Sequence, residues 1–253
     1  MMDSTRRFSN RVDDYVRYRP SYPAAVLPLL ETECGLVSGS VIADVGSGTG
    51  ILSELFLKNG NRVLGVEPNR EMREASERLL ERYPSFMSII GTAEATTLED
   101  GSVDFVTAGQ ALHWFDPARA RAEFARILCP DGWTMFVWNG RKRDTTPLLE
   151  AYEDLLKTHG TDYEKVGRHE DTDGIAAALF GPHTFQKRTF GNRQVFDLDG
   201  LKGRISSSSY VPAPGQPGYE AMMREAGRIF REHATDGKVI IEYDTNVYYG
   251  RLR

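Results

Sequence analysis

Three glycines alternate with other residues in one short segment, and an aspartate precedes them. The segment spans residues 44–50 and reads Asp-Val-Gly-Ser-Gly-Thr-Gly. Glycine lets the backbone turn sharply and approach a ligand without a Cβ in the way. In open α/β sheets such a loop lies at the carboxyl ends of strands, where ligands bind. The segment therefore predicts a ligand-binding loop that consists of Asp44, Gly46, Ser47, Gly48 and Gly50.

The residues around this loop discriminate between classes of nucleotide. A dinucleotide fingerprint G-x-G-x-x-G requires a glycine at the position of Ile51. A pyrophosphate favours a helix N-terminus without nearby negative charge, whereas Asp44 favours a cationic ligand. Glu67 ends a second predicted strand, 21 residues after Gly46, where an acid can accept both ribose hydroxyls. These features favour adenosine with a cationic amino-acid tail, and S-adenosylmethionine is such a molecule.

The same segments resemble the class I S-adenosylmethionine-dependent methyltransferase family over residues 41–138. The resemblance implies that the glycine loop and Glu67 bind the cofactor. It also implies that the residues after Glu67 and those after the third strand flank the adenine, and that the loop from residue 109 faces the transferred methyl. The further cofactor residues implied in this way are Pro68, Met72, Ala93, Glu94 and Gln110.

A narrower likeness lies in residues 15–23, in His113-Trp114-Phe115 and in residues 206–210. These segments resemble the trans-aconitate methyltransferase-like branch, which implies a small carboxylic acid as the methyl acceptor. Residues 10–23 are predicted to form an extended N-terminal arm. If this arm folds over the cofactor, Tyr18 covers the cofactor and the guanidinium of Arg19 binds a carboxylate in a bidentate manner. Arg204 and Tyr210 offer a further guanidinium and hydroxyl for an anion. A solvated polar loop is the alternative interpretation of residues 204–210.

His113 is the candidate catalytic residue, although the reaction does not demand a base. Methyl transfer is an in-line displacement at an activated sulfonium, so alignment of the reactants matters most. A base helps only when the nucleophile starts protonated, and a carboxylate does not. We therefore interpret His113 as shaping the pocket. Trp114 and Phe115 are predicted to line the substrate pocket or to attract the sulfonium through their ring faces, with core packing as the alternative.

Alternating strands and helices must position these residues. Short apolar runs predict parallel strands, and two longer strands follow a helix-rich segment. The predicted fold is a Rossmann-like doubly wound α/β fold with a seven-stranded, mostly parallel sheet and an antiparallel edge. The predicted strands are 41–45, 62–66, 86–90, 103–108, 133–138, 184–196 and 239–249. The predicted helices are 24–30, 51–58, 69–84, 117–128, 147–159 and 219–233.

The chain is predicted to be a single methyltransferase domain over residues 1–253. Residues 1–35 would form an extended arm and a helix, residues 36–140 the cofactor-binding core, and residues 141–253 the substrate side and the rest of the sheet. Residues 130–132, Pro-Asp-Gly, predict a turn before the fifth strand.

Composition limits the partners. The chain has 253 residues and a formal net charge of -5, which argues against a nucleic-acid partner. Its two cysteines, Cys34 and Cys129, form no C-x-x-C pair, so we expect no metal site or disulfide and a reducing, cytoplasmic location. No apolar leader or stretch of about 20 apolar residues is present, so no membrane association is expected. A small-molecule acceptor is the expected partner.

Two alternatives stay open at this point. In the first, the methyl acceptor is another metabolite, which is methylated on carbon, nitrogen or a hydroxyl. In the second, the chain binds S-adenosylmethionine without turnover. A nicotinamide oxidoreductase is disfavoured by Ile51 and Asp44. The sequence leaves the oligomeric state undetermined.

Overall fold

The computed structural model describes residues 16–161, 163 and 171–253, in which seven strands form one sheet. The strands are β1 (Val41–Val45), β2 (Arg62–Val66), β3 (Phe86–Ile89), β4 (Val103–Gly109), β5 (Leu128–Arg141), β6 (Phe185–Phe196) and β7 (Val239–Gly250). The helices are α1 (Val26–Cys34), α2 (Ile51–Lys58), α3 (Arg70–Leu80), α4 (Pro117–Ile127), α5 (Pro147–His159), α6 (Thr172–Phe180), α7 (Leu198–Ser206) and α8 (Tyr219–His233). A short 3-10 helix, Leu112–Trp114, follows β4. No helix in the described ranges is both long enough and apolar enough to cross a membrane.

The strand order is β3-β2-β1-β4-β5-β7-β6. Strands β1 to β5 are parallel, and β7 runs antiparallel to both β5 and β6. Parallel neighbours require crossover connections, and α2, α3 and α4 belong to three of them. The order reverses between β1 and β4, so the crevice outside the carboxyl ends of these two strands is the expected ligand site. The predicted fold class is confirmed.

Alternation along the strands sends side chains to both faces of the sheet. Ile42 of β1 packs in one apolar cluster with residues of α1 and α2, whereas Ala43 and Val45 pack in another with residues of α4 and α6. A third cluster joins α5, α7 and α8 to the start of β7 and includes Tyr18 of the N-terminal arm. This third cluster positions the arm beside the carboxyl end of β5.

Strand β5 is longer than the sequence predicts. It begins at Leu128 and passes through residues 130–132, which were predicted as a turn. Val103 pairs with Leu128 and Phe105 with Trp133, so β5 advances five residues while β4 advances two. The Pro-Asp-Gly segment therefore forms an irregular bulge inside a continuous strand, because both of its flanks still pair with β4.

Four other segments differ from prediction. Helix α1 begins at Val26 and extends to Cys34, because Pro28 lies in the first turn, where its missing N–H costs no bond. Helices α6 and α7 were not predicted. The predicted extended arm lies outside the described residues up to position 15, and residues 16–18 are helical rather than extended.

Candidate functional site

The glycine loop between β1 and α2 has a backbone that favours glycine at each alternate position. Gly46, Gly48 and Gly50 have φ angles of 69°, 55° and 87°. A Cβ on Gly46 would lie 2.7 Å from the Cβ of Ala111, whereas a Cβ on Gly48 would meet nothing within 4 Å. Gly46 is therefore needed for packing, and Gly48 faces open space at the carboxyl end of the sheet.

Asp44 lies at the penultimate position of β1 and is fully buried. Its Oδ2 accepts a hydrogen bond from the Ser53 hydroxyl at 2.6 Å. Burial raises the pKa of Asp44 to about 7; the Ser53 hydrogen bond opposes this rise, and the nearby Glu67 charge adds to it. A cation bound beside the loop would favour the ionised form, because opposite charges attract strongly in a buried site.

Glu67 immediately follows β2 and is also buried. Its Oε2 accepts from the Gly48 N–H at 3.0 Å, and its Oε1 accepts from the Asn69 N–H at 2.9 Å. Burial raises the pKa of Glu67, although these two backbone hydrogen bonds partly offset the rise. Each oxygen retains a lone pair, so the carboxylate can accept two further hydrogen bonds, for example from a pair of ribose hydroxyls.

The residues predicted to flank the adenine lie next to Glu67 and beyond β3. Pro68 is exposed, and Met72 is buried at the first turn of α3, where its N–H donates to the Asn69 side chain at 2.9 Å. Ala93 is buried in the cluster with α4. Glu94 accepts from the Asp116 N–H at 2.9 Å, just before α4. Glu94 thus has a structural partner already, and its role toward adenine stays a prediction.

Several buried oxygen atoms of the glycine loop have no hydrogen-bond partner among the described residues. They are Asp44 Oδ1, Ser47 Oγ and Thr49 Oγ1. A buried polar atom without a partner is unfavourable, and a cluster of three calls for a polar ligand or for ordered water. Two carboxylates, unpartnered hydroxyls and an open Gly48 fit a ligand that combines an ammonium group with a ribose. S-adenosylmethionine has both groups. No three metal-ligating side chains converge in the described part of the chain.

The loop after β4 begins with a strained residue. Gln110 has a φ of 55°, a left-handed conformation that is uncommon outside glycine. Its N–H donates to the Val137 carbonyl at 3.1 Å, and its Oε1 accepts from the Asn139 N–H at 2.6 Å. These bonds to β5 hold the loop in the left-handed conformation. Such strain, held by neighbouring bonds, is frequent at functional sites.

His113, Trp114 and Phe115 continue this loop. The His113 ring lies 4.5 Å from the Trp114 ring and 5.4 Å from the Trp138 ring, measured between centroids. Atoms of the Phe115 ring lie 3.4 and 3.5 Å from where a Gly46 Cβ would stand, and the ring also packs edge-on against Phe124. The structure therefore places Phe115 between the glycine loop and the core, in line with the core-packing alternative.

An open cleft of about 390 Å³ adjoins His113. Its walls come from the 3-10 helix, the start of α4 and helix α6, and include Phe115 and Asp171. Since Phe115 also contacts the glycine loop, this cleft and the predicted cofactor site are neighbours. The pocket roles of His113, Trp114 and Phe115 stay predictions.

The N-terminal arm crosses the carboxyl end of the sheet and is held there by side-chain amides. Asn192 donates to the Ser21 carbonyl at 2.8 Å, and Gln194 donates to the Tyr18 carbonyl at 3.1 Å. Asn139 lies 3.3 Å from the same Ser21 carbonyl. The Tyr22 hydroxyl lies against Gly109, at the end of β4. The arm thus closes over the ends of β4 and β5.

Tyr18 and Arg19 lie against α7 in this arrangement. The Tyr18 ring covers Gly203, and the Arg19 guanidinium donates to the Ser207 carbonyl at 2.9 Å. The structure therefore groups these two residues with the predicted substrate residues Arg204 and Tyr210 rather than with the glycine loop. Their role as cofactor ligands stays a prediction.

Arg204 lies near the end of α7 and is buried, with 5% of its surface exposed. Its Nε donates to the Tyr243 hydroxyl and its Nη1 to the Ser208 hydroxyl, both at 3.1 Å. Tyr210 is partly buried, and its ring packs 5.1 Å from the Tyr163 ring. The alternative of a solvated polar loop is wrong for Arg204, because α7 turns its guanidinium inward.

The part of the chain that contains the glycine loop is similar to a known protein family. Residues 43–136, from β1 to β5, match the family model described as a methyltransferase domain. Residues 43–136 are therefore similar to a methyltransferase domain, and they are called the methyltransferase domain below. The match includes the glycine loop, Glu67, Glu94 and the loop with His113, and it ends before α5.

Two relatives show how much of the chain is shared with curated proteins, and the first is named a methyltransferase. An uncharacterized methyltransferase of Mycobacterium tuberculosis is 39% identical over 139 residues, which are 55% of this chain and 54% of the relative. An uncharacterized protein in a Streptomyces fradiae transposon is 32% identical over 230 residues, which are 83% of this chain and 66% of the relative. The chain therefore spans about half the length of the mycobacterial relative that it matches.

Solved structures share the fold beyond the methyltransferase domain. A protein of Anaeromyxobacter dehalogenans, assigned as a type II methyltransferase, matches 93% of this chain and 98% of its own with a TM-score of 0.68 and 21% identity. A phosphoethanolamine N-methyltransferase of Haemonchus contortus, solved with S-adenosylhomocysteine, matches 98% of this chain and 60% of its own with a TM-score of 0.56 and 13% identity. These likenesses extend the methyltransferase fold to β6 and β7.

Several residues of the site have no sequence signal that we recognised. Ser53 reaches Asp44 from α2, and the amides of Asn139, Asn192 and Gln194 hold the arm. These amides come from β5 and β6, which are far apart in sequence. Both strands pair with β7, and the Asn192 amide donates to Asn139 Oδ1 at 3.2 Å. These three amides can be identified as neighbours only when the pairing register of β5, β7 and β6 is known.

Proposed function

We propose that this chain binds S-adenosylmethionine at the carboxyl ends of β1 and β2 and transfers its methyl group to a small molecule. The proposed reaction is O-methylation of a small carboxylic acid, with S-adenosylhomocysteine as the other product. The observation that carries the cofactor assignment is that one oxygen each of Asp44, Ser47 and Thr49, in the loop that Glu67 bonds, has no hydrogen-bond partner among the described residues.

The proposed cofactor site needs no residue outside the methyltransferase domain. Asp44 lies at the inner end of the glycine loop, where its negative charge favours an ammonium group. Glu67 offers both carboxylate oxygens to the ribose hydroxyls. Met72 supplies an apolar surface one turn beyond Glu67. When bound, S-adenosylmethionine supplies a methyl group on a sulfonium, which needs no further activation.

The acceptor is proposed to bind between the arm, the His113 loop and α7. All three lie at the carboxyl edge of the sheet, and the arm contacts both the end of β4 and α7. A carboxylate acceptor is already a nucleophile, so the residues have to align it and exclude water rather than remove a proton. This proposal assigns a positioning role to His113, which lines the neighbouring cleft.

The first test is calorimetric titration with S-adenosylmethionine and S-adenosylhomocysteine. The wild-type chain should bind both, and Asp44→Ala and Glu67→Ala should each bind more weakly. Glu74→Ala is the control, because Glu74 pairs with Arg70 on the outer surface of α3. No binding by the folded wild-type chain would overturn the cofactor assignment.

The second test is transfer of labelled methyl to a panel of small acids, amines and alcohols. If the label is recovered as an alkali-labile ester of one of the acids, this result supports O-methylation of a carboxylate. Transfer to an amine, a hydroxyl or a carbon instead would replace the acceptor class and leave the methyltransferase assignment intact. Tight cofactor binding without transfer to any metabolite fraction would indicate a binding protein.

A further inference from the structure

Arg204 is a buried cation that has no acidic partner in the described part of the chain. Among the described residues no carboxylate forms an ion pair with it, and its electrostatic neighbours are the hydroxyls of Tyr243, Tyr152 and Tyr210. A buried charge is unfavourable unless an opposite charge compensates it. Neutral hydroxyls satisfy the hydrogen bonds of a guanidinium but do not neutralise its charge.

Arg141 lies near Arg204, and its positive charge is compensated by a carboxylate. Its guanidinium forms an ion pair with Glu153 at 2.5 Å and bonds the Tyr163 hydroxyl at 3.0 Å. Glu153 is therefore already committed to Arg141 and also accepts from Tyr163 at 2.6 Å. Among the described residues the cluster thus contains the guanidinium groups of Arg204 and Arg141 and one buried carboxylate, Glu153, which pairs with Arg141.

The buried hydroxyl of Tyr152 is a second, independent observation that indicates a polar ligand. Its side chain has 1% of its surface exposed, and its ring lies under the Arg141 guanidinium at 4.7 Å. Its hydroxyl has no hydrogen-bond partner in the described part of the chain. A buried phenol whose hydroxyl is unpartnered costs more than a phenylalanine in the same place, so a ligand that bonds the hydroxyl would explain the tyrosine.

The local potential is positive. Burial alone would raise the pKa of Tyr210, but the guanidinium groups of Arg204 and Arg19, together with a Ser208 hydrogen bond and Arg141, bring it below its ordinary value. Other titratable groups described in this cluster include Tyr152, Tyr243, Glu153 and Tyr163. Glu153 and Tyr163 both bond Arg141, and Tyr243 bonds Arg204. The space around the Tyr210 hydroxyl therefore favours negative charge.

The cluster lies at the edge of the sheet where the acceptor is proposed to bind. Arg141 ends β5, and its register partner on β7 is Tyr243, which bonds Arg204. The carboxyl end of β5 is the same edge that holds the glycine loop of β1, because the two strands are parallel through β4. Arg19 of the arm bonds the Ser207 carbonyl at the end of α7.

We propose that Arg204, with the hydroxyl of Tyr152, binds an oxyanion of the methyl acceptor, a carboxylate or a phosphate, that is not the methylated group. This inference rests on the proposed function. The two groups must differ because hydrogen bonds to a guanidinium hold the lone pairs of an oxyanion and reduce its nucleophilicity. The acceptor therefore carries one anionic group for anchoring and a separate nucleophile for methylation.

The test measures binding of two probes, acetate and inorganic phosphate, to the chain saturated with S-adenosylhomocysteine. Titration calorimetry and thermal unfolding in a buffer without either anion are the readouts. Tighter acetate binding identifies a carboxylate as the anchoring group, and tighter phosphate binding identifies a phosphate. The wild type should bind at least one probe.

Three variants locate the site. Tyr152→Phe should keep or raise the unfolding temperature and weaken probe binding about tenfold, the effect of one hydrogen bond to a charged group. Arg204→Lys retains the charge but loses the planar fork, and should weaken binding at least as much. Tyr83→Phe is the control, because the Tyr83 hydroxyl lies 3.4 Å from Glu54 on the other side of the molecule.

Two results would overturn the inference. One is a folded wild type that binds neither probe. The other is unchanged probe binding by Tyr152→Phe and Arg204→Lys, which would make Arg204 a purely structural residue. Failure of the proposed function is seen separately, as absence of S-adenosylhomocysteine binding or of methyl transfer; anion binding by such a chain would mark a site that serves another ligand.

Discussion

The Glu67 carboxylate accepts a hydrogen bond from the backbone N–H of Gly48 at 3.0 Å, across the carboxyl ends of β1 and β2. This bond joins the two halves of the proposed cofactor site before any ligand binds. It fixes the position of the carboxylate and the direction of the loop together. A loop held in this way loses less conformational freedom on binding, which favours affinity.

Glu67→Gln should therefore weaken S-adenosylhomocysteine binding by about 10- to 100-fold, the range for a hydrogen bond to a charged group. The amide keeps one acceptor for Gly48 but loses the charge and the second acceptor. Calorimetric titration provides the measurement. Glu74→Gln on the outer surface of α3 should bind as the wild type does, and equal affinities for all three chains would contradict a ribose role for Glu67.

Asp44 should make the ligand-free protein less stable as the pH rises. Its pKa is about 7 in the folded chain against an ordinary value of 3.8. The folded state therefore binds more protons between these values, and stability is lost as the pH rises through this window. Asp44→Asn should remove this part of the pH dependence. Chemical denaturation from pH 5 to pH 8 measures it, and parallel curves for the two chains would contradict the prediction.

The same carboxyl group should make cofactor binding depend on pH in the opposite direction. Only the ionised form attracts an ammonium group, so S-adenosylhomocysteine affinity should rise as the pH increases through about 7. Asp44→Asn should bind weakly at every pH in this range. Titrations in buffers of different ionisation enthalpy should also detect release of a proton by the wild type.

Gly46 and Gly48 should respond differently to the same substitution. Both have positive φ, so alanine should cost about 1–2 kcal/mol of folding stability at either position. Gly46→Ala should cost more, because its Cβ would lie 2.7 Å from the Ala111 Cβ. Gly48→Ala should instead lose cofactor affinity, because its Cβ would enter open space where the ligand is proposed to lie.

Gly237→Ala separates the backbone cost from the binding effect. Gly237 has a φ of 68° and open space around its Cβ position, far along the chain, just before β7. This variant should lose stability as Gly48→Ala does and keep full cofactor affinity. Unfolding free energies and titrations on the three variants are the measurements, and an unchanged affinity for Gly48→Ala would place the ligand elsewhere.

Asn192 should hold the arm on the sheet. Asn192→Ala removes the bond to the Ser21 carbonyl and should expose the arm to limited proteolysis, with a loss of about 0.5–1.5 kcal/mol in stability. Thr189→Ala on the same strand is the matched control, since its hydroxyl bonds Asn246 and does not contact the arm. Equal cleavage rates in the arm for both variants would contradict this role.

Local patterns in the sequence predict most of the fold. β-branched runs predict β1 and β2, and Asp116-Pro117 predicts the start of α4, where Asp116 accepts from the N–H groups of Ala118 and Arg119. Helices α6 and α7 escape prediction for physical reasons. Helix α6 is largely apolar and lacks a polar face, and α7 contains Gly200 and Gly203, which disfavour a helix until Tyr18 packs against it.

Some residues of the candidate site can likewise be predicted from the sequence, and others cannot. The glycine loop and Glu67 are close in sequence to the strands that carry them, so spacing alone predicts them. Arg204 is different, because a cation beside a run of serines is typical of a solvated loop. Its burial follows from the packing of α7 against β7, which only the three-dimensional structure reveals.

The arm is fastened through its main chain. Side-chain amides on β5 and β6 bind the carbonyls of Tyr18 and Ser21, and every amino acid presents such a carbonyl. The side chain of the exposed Ser21 is therefore not needed for attachment, unlike those of Tyr18, Arg19 and Tyr22, which contact α7 or β4. Position 21 is thus free to vary, and with it the surface that the arm presents to solvent, while the amides of Asn139, Asn192 and Gln194 keep the arm in place.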